Sequence, residues 1–152
     1  MVEQINYKKE SDLSLKLFVV LIRALESIEK QVVRDIKSHG LNQTEFAVLE
    51  LLYNKGAQPI QKIGKKVLLA SSSITYVVDK LEEKKMLERK ACPKDRRVTH
   101  AEITAKGIES MDIIFPKHKE ALNEIFNKLS TQEKEQMIEQ LKRVGFHAES
   151  LV

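Results

Sequence analysis

The sequence is poor in aromatic residues and contains no tryptophan. Aromatic residues make up 5% of the 152 residues, whereas hydrophobic residues as a whole make up 42% and charged residues 32%. This composition argues against an all-β sandwich and also against a disordered tail. It favours one helix-rich domain with its own core, and 152 residues are enough to bury one.

The sequence also lacks the marks of export and of membrane insertion. Its one cysteine, Cys92, cannot form an internal disulfide, and the polar N-terminus MVEQINYKKESD has no apolar signal core. The most apolar run, LSLKLFVVLIRAL, is interrupted by Lys16 and Arg23 and falls short of the roughly 20 apolar residues that a membrane span requires. We therefore expect a cytoplasmic protein without a transmembrane segment.

Patterns typical of metal centres and of enzyme active sites are missing too. The four histidines are scattered, without HExxH or paired CxxC spacing. Neither a glycine-rich phosphate loop nor a nucleophile with an adjacent base can be identified. We expect no metal, no cofactor and no enzymatic activity.

What the sequence does have is a modest excess of positive charge. Lysine and arginine number 26 against 22 acidic residues, which gives a net charge of +4. A nucleic acid or another polyanion is a plausible partner, but the total alone is weak evidence. The position of the charges along the chain is more informative.

Apolar periodicity predicts a long helix over residues 11–39. Apolar residues recur there at helical spacing, and Gly40 is well placed to end the helix. The apolar face is wider than one neighbouring layer would cover, which suggests that the helix packs against a second chain.

A second long helical pattern covers residues 105–147. Pro116 is expected to kink the first part without ending it, because the apolar stripe continues beyond it. Ser130 and Glu133 form a capping-box pattern that opens a last helix.

The segment between these helices, residues 42–104, reads as a winged helix-turn-helix. Asn42 is a good N-cap for its first helix, and two short helices joined by a tight connection at 68–70 follow. The runs MLERKA and RVTHAEIT have strand character, with a turn predicted at 92–95, so they indicate a β-hairpin, or wing. The predicted fold class is mainly α with a small β-hairpin wing (α+β).

The second of the short helices, from Ser71 to about Lys84, has the character of a DNA recognition helix. Small polar side chains let a helix approach a duplex closely and can donate to phosphates or base edges. The simpler alternative is a solvated face with serines as caps. The side chains concerned are Ser72, Ser73, Thr75, Tyr76 and Lys80.

The tip of the hairpin concentrates charge. Lys94, Arg96 and Arg97 could enter the minor groove beside a recognition helix, where arginine is attracted to the negative potential. Asp95 would be repelled by phosphate, so we expect it to organise the tip by accepting from the turn amides and a neighbouring guanidinium. Without the helix-turn-helix, the same residues would be an ordinary charged turn.

The run DRRVTHAEIT, from Asp95 to Thr104, resembles the wing signature of the MarR family of bacterial winged-helix regulators. That signature is Asp-x-Arg and, after five further residues, Leu-Thr; Ile103 stands here at the leucine position. The order of elements is also similar from about Ser11 to Val144. The stretches LKLFVVLIRA and LNQTEFAVLELLY further resemble the quinone-responsive branch of the family.

The resemblance implies a transcriptional regulator, most simply a repressor in a stress response, that binds double-stranded palindromic operator DNA. It implies a homodimer joined through the helices of 11–39 and 105–147, with 42–104 as the DNA-binding lobe, and release of DNA by a small phenolic, quinone or oxidising signal. It places Ser71, Ser72, Ser73, Thr75 and Tyr76 at the DNA, Arg97 as the wing arginine and Asp95 as its supporting acid. By position alone, the candidates for a ligand pocket are His39, Phe46, Tyr53 and Phe115.

Two other functions fit parts of the sequence. A winged helix can also serve as a protein-interaction module whose basic face docks an acidic partner. Cys92 has Lys90, Lys94 and Arg96 nearby, a cationic setting that favours the thiolate and would suit a thiol-based redox sensor. The same cysteine could equally be a small apolar residue that fills the end of a strand.

Overall fold

Long helices begin and end the chain, and the shorter elements lie between them. The computed structural model describes residues 1–67 and 71–152, with the backbone alone for Ser71 and Ser72. The predicted connection at 68–70 lies outside the described residues. The helices are α1 (Val2–Ser38), α2 (Gln43–Lys55), α3 (Ile60–Lys66), α4 (Ser71–Glu83), α5 (Ala105–Ile125) and α6 (Thr131–Ser150), and the strands are β1 (Gln58–Pro59), β2 (Leu87–Ala91) and β3 (Thr99–Ile103).

The first helix is longer than the sequence predicted. α1 begins at Val2, nine residues before the expected start at Ser11. The apolar periodicity behind the prediction starts only at Leu13, but no glycine or proline interrupts residues 2–10, so the same helix can continue through them. Its end agrees with the prediction, because Gly40 has a φ of 78° just beyond Ser38.

The core lies between α2, α4, the sheet and the middle of α5. The predicted N-cap of α2 is confirmed, because the Asn42 side chain accepts from the Glu45 amide at 2.8 Å. Both α2 and α4 turn an apolar face towards this core. Their buried apolar residues are Phe46, Val48, Leu49 and Leu52 from α2 and Ile74, Val77, Val78 and Leu81 from α4.

The wing is part of a three-stranded antiparallel sheet with the order β1-β3-β2. The predicted hairpin of β2 and β3 is confirmed, with Arg89 opposite Ala101. The short β1 pairs with the other edge of β3, where Gln58 also lies opposite Ala101. The sequence analysis did not predict this pairing, because a two-residue strand has no periodicity of its own.

The turn at the tip of the wing lies three residues later than predicted. The chain bends at residues 93 and 94, within the predicted turn, but the hydrogen-bonded β-turn covers residues 95–98, where the Val98 amide donates to the Asp95 carbonyl at 3.0 Å. Aspartate is a favoured first residue of such a turn, because its side chain can accept from a backbone amide two residues later. This preference outweighs the proline at position 93.

The C-terminal pattern forms two helices with a break at residues 126–130. α5 contains Pro116 and continues to Ile125, as expected, and the capping box of Ser130 and Glu133 at the start of α6 is confirmed. α6 ends at Ser150, slightly beyond the predicted 147. All residues of α6 are described, and none of them is buried.

Over the described part of the chain, we find no helix that combines the length and the apolar character needed to cross a membrane.

Candidate nucleic-acid interface

The predicted recognition helix is α4, and its two faces differ as the sequence indicated. Ile74, Val77 and Val78 are buried, whereas Ser73 and Thr75 are exposed. Tyr76 is also exposed, and the ammonium of Lys80 lies 5.5 Å from the centre of its ring. The side chains of Ser71 and Ser72 lie outside the described residues.

The positive charge of Lys80 is paired with a carboxylate on the same helix. Its Nζ lies 3.3 Å from Oε2 of Glu83, one turn further along α4. The hydrogen bond to Glu83 is the main cause of the raised pKa of Lys80. Part of its charge is therefore balanced within the helix, as that of Arg97 is balanced within the wing.

Asp95 organises the tip of the wing through three hydrogen bonds from one residue. The Arg97 amide donates to Oδ1 at 3.0 Å, and the guanidinium donates to Oδ1 at 3.1 Å and to Oδ2 at 3.2 Å. The side-chain hydrogen bonds of Arg97 are the main reason that the pKa of Asp95 is lowered. The carboxylate is thus ionised at neutral pH, and it holds a guanidinium that is itself 90% exposed.

Lys94 and Arg96, the other two predicted wing contacts, are also exposed. They flank Asp95 directly in the chain, so three positive side chains surround a single carboxylate. The tip therefore carries a net positive charge, which is what approach to a DNA backbone requires.

A cleft brings the recognition helix and the wing together. It has a volume of about 240 Å³ and lies where α3, α4 and the wing meet. Thr75 of α4 and Arg97 of the wing both line it, so residues from the two predicted DNA-binding elements share one surface. Its other lining residues are Ile60, Gln61, Arg89, Val98 and Thr99.

Arg89 joins the wing to α4, a role that the sequence analysis did not predict. Its Nη1 lies 3.1 Å from Oε1 of Glu82, its Nη2 pairs with Asp79, and its amide donates to Oε2 of Glu82 at 3.2 Å. The hydrogen bond to Asp79 is the main cause of the raised pKa of Arg89. No fixed local spacing relates a strand residue to a preceding helix, so the pattern alone could not reveal the contact.

A second set of contacts holds the corner after α4. The Nζ of Lys84 pairs with the buried carboxylate of Glu45 and lies 3.2 Å from the carbonyl oxygen of Gly40. The hydroxyl of Thr104 donates to the Lys85 carbonyl at 2.7 Å. These contacts fix the C-terminal end of α4 against the start of α2 and the start of α5.

The four candidates for a ligand pocket fall into two groups. Phe46 is 3% exposed, and His39 follows α1 with Nε2 3.5 Å from Oδ1 of Asp35. Tyr53 and Phe115 pack edge to face with their ring centres 5.7 Å apart, and the Tyr53 hydroxyl donates to Asp112 of α5. That hydrogen bond is the main cause of the raised pKa of Tyr53.

The structure adds His118 and Asp35 to the first group. His118 is buried, its Nδ1 lies 3.0 Å from Oδ2 of Asp35, and its ring centre lies 4.6 Å from that of Phe46. Asp35 also lines an open groove of about 470 Å³ between α1 and α5. The remaining lining residues are Gln31, Arg34, Ser38, Ala121, Glu124 and Ile125. None of the four sequence candidates is among them.

Cys92 is a free, partly exposed thiol immediately after β2. Its amide donates to the Val98 carbonyl at 2.9 Å, so its backbone helps to close the tip of the wing. Among the residues that the structure describes, no group of histidine, cysteine, aspartate and glutamate side chains could hold a metal ion.

Comparison with known proteins identifies the family. The profile of the MarR family matches residues 41–99, which include α2, the helix-turn-helix, β2 and the tip of the wing. The HTH-type transcriptional regulator MhqR of Bacillus subtilis is 60% identical over 135 residues, which cover 89% of this chain and 93% of that protein.

Two solved structures show the same fold. A MarR family transcriptional regulator from Streptomyces coelicolor, solved in complex with DNA, superimposes with a TM-score of 0.79 at 21% identity, over 86% of this chain and 84% of that one. An organohalide-sensing transcriptional regulator in its 2,4-dichlorophenol-bound form superimposes with a TM-score of 0.77 at 18% identity, over 92% and 83%. The fold, the wing signature and the 60% identical relative agree, and the chain is a DNA-binding transcriptional regulator that belongs to the MarR family.

Proposed function

We propose that this chain is a homodimeric repressor that binds a palindromic operator and is released from it by a small phenolic or quinone signal. Each protomer would place α4 in a major groove and the Lys94–Arg97 tip in the neighbouring minor groove, with the half-sites about one helical turn apart. A repressor of this kind acts on the chromosome, so we place it in the cytoplasm.

The observation that carries the DNA-binding part is the shared cleft. Thr75 and Arg97 line the same 240 Å³ space, so one DNA backbone could run between the recognition helix and the wing. Arg97 is 90% exposed and held in one orientation by Asp95, so little side-chain entropy would be lost on insertion into a groove.

Exposed apolar side chains support the dimer. α1 and α6 carry many of them on helices that pack little against the rest of the protomer, and such surfaces are normally covered by a partner. The exposed apolar residues include Leu13, Leu15, Leu17, Phe18, Val20, Ile22 and Leu25 of α1 and Met137, Ile138, Leu141, Val144 and Phe146 of α6.

The proposed signal follows from the family resemblance and from the relatives. One structure of this fold, that of an organohalide-sensing transcriptional regulator, was solved with 2,4-dichlorophenol. The groove beside Asp35 lies between α1 and α5, which are both proposed dimer helices. A ligand that binds there and favours one arrangement of these helices would change the distance between the two recognition helices.

The first experiment is a fluorescence-anisotropy titration with DNA from upstream of the protein's own gene. It is done at near-physiological salt with an excess of random duplex as competitor. We expect binding at nanomolar protein to persist, since specific complexes are typically about 10³ to 10⁷ times tighter than non-specific ones. Binding that the competitor abolishes for this and other candidate promoters would favour the protein-docking alternative.

The same complex then tests the signal. Phenols and quinones are added to wild-type protein and to Cys92→Ser, which we expect to bind DNA equally well because its side chain would be of similar size. Release in both proteins would indicate a bound ligand. Release of the wild type alone would show that the signal acts through the thiol, and no release of either would contradict the proposed effector class.

A further inference from the structure

We propose that Arg89 is a positioning residue that sets the angle between the wing and the recognition helix, and so determines operator specificity without touching DNA. The inference rests on the proposed docking of α4 and the wing tip on one duplex. Such docking requires the two elements to fit two grooves at once, so their relative position must be fixed before DNA arrives.

β3 is held by β1 along its other edge, whereas the outer strand β2 has its one buried residue at its base. Leu87, Arg89 and Ala91 lie on one face of β2, because side chains alternate along a strand. Leu87 is buried in the core, whereas Ala91 is exposed, and Arg89 lies between them with a side chain that is 29% exposed. Arg89 is therefore the contact that extends the attachment of β2 from its base towards the tip.

The geometry of the contact suits this task. One guanidinium donates to two carboxylates, of Asp79 and Glu82, which lie three residues apart on α4. β2 is an edge strand, and the Arg89 amide also donates to Glu82 at 3.2 Å. The backbone and the side chain of Arg89 thus both form hydrogen bonds to α4. The planar guanidinium fixes the orientation of β2 relative to α4 as well as the distance between them.

The charge of the cluster argues against a direct phosphate contact. One guanidinium and two carboxylates sum to a net charge of −1, and Arg89 already donates to both acids. Without the guanidinium of Arg89, the carboxylates of Asp79 and Glu82 would repel a phosphate. Arg97, at 90% exposure, is the side chain in this cleft that is available to the backbone of DNA.

The chain provides a matched control one residue away. Lys90 lies between Glu88, at 3.2 Å, and Glu102, at 3.0 Å, so it also forms a cluster of one cation and two carboxylates. This second cluster lies entirely within the wing and makes no link to α4. Removal of either cluster changes the net charge by the same amount.

The test compares two charge-matched triple variants. The first combines Arg89→Leu with Asp79→Asn and Glu82→Gln; the control combines Lys90→Leu with Glu88→Gln and Glu102→Gln. We expect the ratio of operator to random-duplex affinity to fall on the order of tenfold in the first variant, the effect of about one mismatched base pair, and to stay unchanged in the control. An equal ratio in both would overturn the inference.

The salt dependence separates positioning from phosphate contact. In the first triple variant, which removes the guanidinium, the slope of log affinity against log salt should equal that of the wild type, because no phosphate partner is lost. A slope smaller by about one unit would show that Arg89 leaves its carboxylates and contacts DNA, which would overturn the inference.

A measurement without DNA distinguishes failure of this inference from failure of the proposed function. Spin labels at Glu83→Cys, at the end of α4, and Lys94→Cys, at the wing tip, are introduced in a Cys92→Ser background. Labelled protein is mixed with an excess of unlabelled protein, so that the distance is measured within one protomer. We expect one narrow distance distribution in this background and in the control triple variant, and a broad one in the Arg89 triple variant. Equal widths would show that Arg89 does not set the wing angle, whatever the protein binds.

Discussion

Arg97 combines full exposure with a fixed orientation. Its backbone amide and its guanidinium both donate to Asp95, so the arginine is held by its neighbour in the turn while its charge stays in solvent. We predict that Arg97→Ala weakens binding to every DNA sequence and lowers the salt slope by about one unit, because one counterion-releasing contact is lost. Affinity for operator and random DNA is measured over a range of salt concentrations.

Lys142→Ala is the matched control for Arg97→Ala. Lys142 lies on the surface of α6, far along the chain from the wing, and its removal lowers the net charge by the same unit. Its salt slope should equal that of the wild type. If Arg97→Ala leaves the slope unchanged as well, Arg97 contacts neither phosphate nor groove.

The contacts of single residues could be predicted from the sequence where both partners lie close together in the chain. The contact between Asp95 and its neighbouring guanidinium followed from turn chemistry, because both groups lie within two residues of each other. The contact of Arg89 with α4 and that of His118 with Asp35 did not, because they join residues 10 and 83 positions apart. Only folding brings such side chains together, and no periodic pattern records the pairing.

At the scale of elements, close contact between α5 and the start of the wing depends on Gly107. A Cβ atom at this position would lie 2.2 Å from the carbonyl oxygen of Met86 and 2.7 Å from Cγ1 of Ile103. We predict that Gly107→Ala lowers the free energy of unfolding by about 1–3 kcal/mol, because backbone must move to admit the methyl group. Chemical denaturation at a fixed protein concentration measures the change.

Gly145→Ala controls for the change in helix propensity. Nothing lies within 4 Å of a Cβ atom at Gly145 in α6, and alanine favours a helix by roughly 0.5–1 kcal/mol over glycine. This variant should be at least as stable as the wild type. A Gly107→Ala protein of unchanged stability would mean that α5 can move away from the backbone of Met86 at no cost.

The boundaries of elements were less predictable than their existence. The helices, the hairpin and the caps at Asn42 and Ser130 followed from apolar periodicity and cap chemistry. α1 starts earlier than expected because a polar helix end carries no apolar signal. The hydrogen-bonded turn at the tip of the wing lies three residues later than predicted. Proline and aspartate each favour a turn at a different position, and only the turn that begins at Asp95 is closed by a hydrogen bond, which the Val98 amide donates.

At the scale of the whole molecule, the exposed apolar surface of α1 and α6 is the basis of the proposed homodimer. A helix such as α6, with no buried residue, gains little stability from its own protomer, since packing and not propensity stabilises most protein helices. Burial of the same side chains against a second chain would contribute roughly 25 cal/mol per Å² of apolar surface. The wide apolar face of α1 was evident in the sequence, but its partner surface was not.

The last prediction tests this assembly directly. Leu141→Glu should convert the dimer to a monomer, because a carboxylate would have to be buried in the apolar interface. Operator affinity should fall steeply, since the second half-site then no longer binds at the high effective concentration that the linked protomer provides. Gln132→Glu is the control: it adds the same charge nine residues earlier, two and a half turns away and so on the opposite face of α6. Light scattering after size-exclusion chromatography gives the mass of each variant. A Leu141→Glu protein with the mass of two chains would exclude this face of α6 from the interface, whereas a monomer that keeps full operator affinity would show that a single winged helix is sufficient for binding.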